Sequence, residues 1–211
     1  DAYATRKAQN ALLKHSPPGH TPETDTLHQS LSRLRWIAEH PDWYTATYVS
    51  AVVVFDRTGE VGDLRETIVR AAGETARAQI ASAYDDYLNS FVRSIKAARR
   101  GDELGRRLHA AESARGLIKS LYGLEGKWPP YHDMLADSLA DIETAQDWPR
   151  GYLRDALLRL TRDGDPTFQQ ELEARVECLM DARGIHHEWG NDLEPLKALQ
   201  FDGPGHITAA E

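Results

Sequence analysis

Thr45-Ala-Thr-Tyr-Val-Ser-Ala-Val-Val-Val-Phe55 is the stretch on which the fold class turns. β-Branched and aromatic side chains dominate it, and Asp56-Arg-Thr-Gly59 follows as a turn, a combination that predicts a strand. No other segment carries that pattern. A single strand is not stable alone. It is therefore expected to pair with the N-terminal segment or with strands that precede Asp1, which makes residues 1–62 the remnant of a small sheet. Within that remnant, Ala2 to His15 has Ala and Leu at helical spacing until Ser16-Pro-Pro-Gly19 stops it. A second helix, capped by Asp25 or Thr26, runs to His40 with Leu27, Leu31, Leu34 and Ile37 on one face, and Pro41 ends it.

From Asp63 onward the apolar period changes to 3.6 residues. Asp63 is read as the cap of a helix that opens with Leu64, Ile68 and Ala71. Tyr84, Tyr87, Leu88, Phe91, Val92 and Ile95 then occupy one helical face without a gap. Arg99-Arg-Gly-Asp102 supplies a basic helix end, a glycine stop and a new N-cap in order. Leu104, Leu108, Ala111, Leu117, Ile118 and Leu121 carry the next helix, and further helical stretches cover Met134 to Ile142, Tyr152 to Leu160 and Phe168 to Ala182. Short polar connections between so many helices predict a bundle over 63–200, followed by a tail over 201–211. The expected class is α+β: a sheet remnant followed by a mostly helical bundle.

Composition sets outer bounds. The chain has 211 residues, 41% of them hydrophobic, with 25 basic and 33 acidic side chains and a formal net charge of −8. That apolar fraction supports a packed core, and the acidic balance argues against a protein whose main work is gripping nucleic-acid phosphates. The longest apolar run, Ala51 to Phe55, is far shorter than the roughly 20 residues of a membrane span. One cysteine, Cys178, excludes an internal disulfide and suits a reducing cytoplasm. It is expected to be a small buried hydrophobe beside Val176 and Leu179.

Few residues are candidates for chemistry. Asp56, at the end of the apolar run, can hold a hard cation or take a proton, or it can simply open the turn. Lys119 and Lys127 stand out because lysine is scarce, and a compact ammonium suits phosphate oxygens as well as a solvated face. Tyr84-Asp-Asp-Tyr87 reads as core tyrosines with exposed aspartates. Arg35 and His40 match a spacing used by some helical ribonucleases, but with nine histidines in the chain about one such match arises by chance. His186-His187-Glu188 lacks metal-ligand spacing, because adjacent helical residues do not face together.

Several of these pieces fall in one order: Tyr48-Val-Ser-Ala-Val-Val-Val-Phe-Asp-Arg-Thr-Gly59, Tyr84-x-x-Tyr-Leu-x-Ser-x-x-Arg93, Arg99-Arg-Gly-Asp102, and Leu121-Tyr-Gly-Leu-Glu-Gly-Lys-Trp-Pro-Pro-Tyr131. Over residues 45–200 this resembles the nucleotidyltransferase superfamily, more closely the kanamycin and aminoglycoside nucleotidyltransferases. In those proteins a polymerase-β-like domain precedes a helical bundle. The resemblance implies transfer of a nucleoside monophosphate from a nucleoside triphosphate to a hydroxyl of a small, aminoglycoside-like acceptor, with Mg²⁺ held by carboxylates. It further implies Asp56 as the third carboxylate, a metal ligand or the base for the hydroxyl. Lys119, then Lys127, would neutralise phosphate. The family's Gly-Ser and Asp-x-Asp motif has no counterpart in the chain, and Asp1 is expected to be the last aspartate of a pair cut by a fragment's start. Neither a nucleic acid nor a membrane is an expected partner, and the assembly is expected to be a monomer or a homodimer. The contrasting reading is a non-catalytic helical interaction or regulatory module.

Overall fold

The computed structural model describes residues 29–189 and 192–201, and the helix expected over Ala2 to His15 lies outside them. Helix α1 (Leu31–Glu39) begins at Ser30, whose hydroxyl accepts the Arg33 N–H. A 3-10 turn (Trp43–Thr45) leads into the single helical turn α2 (Ala46–Val49). Then follow α3 (Glu60–Ala78), α4 (Ile80–Arg99) and α5 (Glu103–Leu124). A 3-10 turn (His132–Met134) precedes α6 (Leu135–Ala145), and α7 (Tyr152–Arg162), α8 (Pro166–Ala182) and α9 (Glu194–Lys197) complete the order.

The α+β expectation is corrected: among the described residues there is no β-strand, and the fold is all-α. Thr45 to Phe55 divides between the first 3-10 turn, α2 and an irregular stretch. The physical reason lies in what β-propensity measures, which is a fit to a pleated, half-buried surface. No such surface is supplied among the described residues. Val52, Val54 and Phe55 are 83%, 93% and 83% exposed. The carbonyls that lead into the run, Val49 and Ala51, are instead taken by the Arg65 guanidinium of α3 at 2.8 and 2.7 Å.

The bundle is centred on the antiparallel pair α4 and α5. All six apolar residues read along one face of α4, from Tyr84 to Ile95, are buried. Helix α4 ends as its sequence dictates, with Gly101 at φ 70° and the Asp102 carboxylate accepting the Gly105 N–H at 2.9 Å to start α5. Gly116 sets how close the two helices come. A Cβ there would lie 2.6 Å from the Tyr87 backbone nitrogen and 2.7 Å from its Cα, so only glycine permits the crossing. Against this pair pack α6, α7 and α8, through Leu139, Ile142, Leu153, Leu160, Leu172 and Val176 among others. Buried Glu143 caps α7 by accepting the Gly151 and Leu153 N–H groups at 2.7 and 2.8 Å.

Three local expectations change. Helix α3 starts at Glu60, not at Asp63, because the Asp56 carboxylate already satisfies the preceding amides. Leu104 and Leu108 at the start of α5 are exposed, since no neighbouring helix reaches them. Cys178 is exposed too. In α8 the buried stripe beside it runs through Leu172, Val176 and Met180, and a position two on from Val176 turns about 200° around a helix of 3.6 residues per turn.

Candidate functional site

Helix α5 presents Arg115 and Lys119 one turn apart, hence on one face. At its end, Gly126 adopts φ 62° and the Lys127 N–H bonds the Tyr122 carbonyl at 3.0 Å, which turns the chain back. Trp128-Pro-Pro-Tyr131 then runs beside those two cations. From the other end of the described chain, the first 3-10 turn brings Trp43 edge-on to Tyr131, with ring centroids 5.2 Å apart and planes at 85°. The result is a cavity of 340 Å³, within the range of small-molecule sites, walled by Trp43, Tyr131, Arg115, Lys119, His132 and Asp133 together with two prolines and Ile118. Arg115 and Lys119 make no ion pair among the described residues. Two cations held in no ion pair among the described residues, beside exposed aromatic rings, can take an oxyanion and a planar ring together.

Lys119 also lines a smaller polar cavity of 40 Å³ with Lys127, Gln79, Ser82, Asp86 and Trp128. The Trp128 indole N–H is buried there without a hydrogen-bond partner among the described residues. A buried donor left unpaired is costly, and an oxygen of water or of an anion would satisfy it. The two lysines singled out from sequence are therefore neighbours, and Lys119 stands between the cavities.

Asp56 lines neither cavity. Its Oδ2 accepts the Gly62 N–H at 3.0 Å, and its Oδ1 accepts the N–H groups of Thr58 and Gly59 at 3.1 and 3.0 Å and the Thr58 hydroxyl at 3.2 Å. Donation from Gly62, then from Thr58 and Gly59, outweighs burial and holds its carboxyl below the ordinary carboxylate value. Both oxygens serve the turn into α3. Asp1 lies outside the described residues. Among the described residues no three His, Cys, Asp or Glu side chains gather as a metal site. This donor set does not fit the Mg²⁺ that the resemblance implies, and no step is derived through that ion. Arg35 pairs with Glu60, while His40 stacks on Trp36 with centroids 4.7 Å apart, so both members of the ribonuclease-like spacing are held in structural contacts. His186 and His187 face Asp181 and Glu177 separately, at 2.9 and 3.3 Å.

Trp43, Arg115, Tyr131 and His132 were not read from sequence as site residues. Arg115 carried one available signal, its position four residues before Lys119. Trp43 carried none, because it comes to Tyr131 from 88 positions away and only the fold joins them.

Residues 38–135, slightly less than half of the chain, match the model of a family described as a domain of unknown function (DUF4037). The matched span contains Trp43, Asp56, Arg115, Lys119, Lys127 and Tyr131. No curated protein and no solved structure matches the chain. Among the described residues no helix is long and apolar enough to cross a membrane.

Proposed function

We propose that the chain binds a nucleoside triphosphate in the Trp43–Lys119 cavity, as the nucleotide-holding helical part of a nucleotidyltransferase-like protein. The observation that carries this reading is the pairing of Arg115 and Lys119, which make no ion pair among the described residues, with the aromatic corner of Trp43 and Tyr131. The rings suit a nucleobase, and the cations suit phosphate oxygens. Lys127 and the buried indole N–H of Trp128 extend the cationic end into the smaller cavity. Transfer of the nucleoside monophosphate to an acceptor hydroxyl is the reaction such a subsite serves in the family that the sequence resembles. A cytoplasmic setting, in which Cys178 stays a free thiol and nucleotide is abundant, belongs to the same reading.

Titration calorimetry with ATP, first in chelator and then with Mg²⁺, tests it. Saturable binding in both conditions is expected. Lys119→Ala should weaken binding at least tenfold, because a hydrogen bond to a charged group is worth roughly 1.5–3 kcal/mol. No heat at millimolar triphosphate, or unchanged affinity in Lys119→Ala, contradicts the reading.

A second reading, a non-catalytic interaction module, draws on the exposed side chains of Val52, Val54 and Phe55. It expects concentration-dependent dimerisation in sizing chromatography, and a monomer throughout a dilution series removes it.

A further inference from the structure

Beside the nucleotide cavity, on the far side of the wall formed by Arg115, Ile118 and His132, lies a second groove of 420 Å³ between α5, α6 and α7. Its floor is aliphatic, made by Ala111, Leu135, Leu139 and Leu157, with Leu158 at the exposed margin. Among the described residues its charged and titratable lining consists of Arg115, Arg154 and His132, with no carboxylate. In a chain of net charge −8 that is a strong local inversion. Neither Arg115 nor Arg154 has an ion-pair partner among the described residues.

From this groove we infer that the protein binds a single-chain amphipathic anion, with an aliphatic tail along the Leu135–Leu157 floor and a carboxylate- or phosphate-type head at Arg115 and Arg154. Size and lining support it: the volume is in the range of small-molecule sites, and such sites combine an apolar body with a few fixed polar groups. Two guanidiniums lining one groove can recognise a planar or tetrahedral oxyanion. The same rim repels a polyamine, so an aminoglycoside-like acceptor is the wrong charge for this groove. That the amphiphile is the acceptor for a nucleotide bound next door rests on the proposed function above. That the groove binds it does not.

The test is calorimetry with monomeric dodecanoate, dodecylammonium and spermine, each in the presence and absence of ATP. Dodecanoate is expected to bind at one site, at least tenfold tighter than dodecylammonium, and spermine should not bind. Ala136→Trp, at an exposed position whose ring would fill the groove, should weaken dodecanoate at least tenfold. Arg154→Glu, also exposed, should erase or reverse the preference between the two twelve-carbon probes, a readout that a general loss of stability would not produce. No saturable dodecanoate binding, insensitivity to both substitutions, or preference for the cationic probes overturns the inference. Dodecanoate binding without ATP binding upholds the groove and removes the nucleotide reading, and the converse result does the opposite.

Discussion

Glu173 is wholly buried on α8, and its carboxyl should make the fold lose stability as pH rises. Burial pushes it up to about 8, against the pull of the Lys197 ammonium at 3.9 Å and of the Tyr87 and Tyr84 hydroxyls, the latter at 3.4 Å from its Oε1. Its other oxygen, Oε2, has no hydrogen-bond partner among the described residues, so a charge there would be left unsolvated. The folded state therefore holds a proton that the unfolded chain releases near its ordinary value of 4.5. Its contribution is complete below 4.5 and declines between 4.5 and about 8. The limiting slope is about 1.4 kcal/mol per pH unit, which gives an upper bound of about 5 kcal/mol across the window. For a chain of this size that corresponds to a fall of roughly 10–20 °C in melting temperature. Glu173→Gln keeps the shape and removes the titration. Thermal melts followed by circular dichroism from pH 5 to pH 8.5 should show the wild type falling relative to the variant as pH rises. Two curves that stay parallel across that range refute the reasoning.

Other substitutions separate structural from functional roles. Gly116→Ala drives a methyl into the Tyr87 backbone and should cost about 1–3 kcal/mol in denaturant unfolding; an unchanged midpoint would mean that the α4–α5 crossing is looser than described. Asp56→Ala should lower the melting temperature by loosening the entry to α3 and leave ATP affinity within twofold, whereas a tenfold loss of affinity would return Asp56 to the binding site. Val54→Ser, at a position 93% exposed, should change stability by no more than about 0.5 kcal/mol. Ile95→Ala, at a fully buried one, should cost about 2–5 kcal/mol.

How far the sequence could be read depended on whether a signal was local. The face from Tyr84 to Ile95 and the Arg99-Arg-Gly-Asp102 boundary are determined within a few turns of one helix, and both were legible. The run Thr45 to Phe55 was misread because the same β-branched residues favour a strand only where a sheet offers them a surface, and none exists among the described residues. Leu104 and Leu108 continued the pattern of α5, but pattern alone cannot say where the neighbouring helices stop. Its apolar neighbours Val176 and Leu179 point Cys178 toward the core, whereas its angular position relative to Val176 puts it outside. For the site, the scarcity of lysine pointed to Lys119 and Lys127. Trp43 and Tyr131, which wall the cavity with Lys119, required the tertiary fold, because contacts between distant positions leave no local trace.

Photolabelling with 8-azidoadenosine triphosphate, followed by peptide mass mapping, addresses the nucleotide cavity most directly. Labelling at the peptides that contain Trp43 and Tyr131, suppressed by excess ATP and absent from a Trp43→Ala/Tyr131→Ala variant that still folds, is the predicted result. Label that ATP does not suppress, or ATP-protected label confined to other peptides, contradicts it.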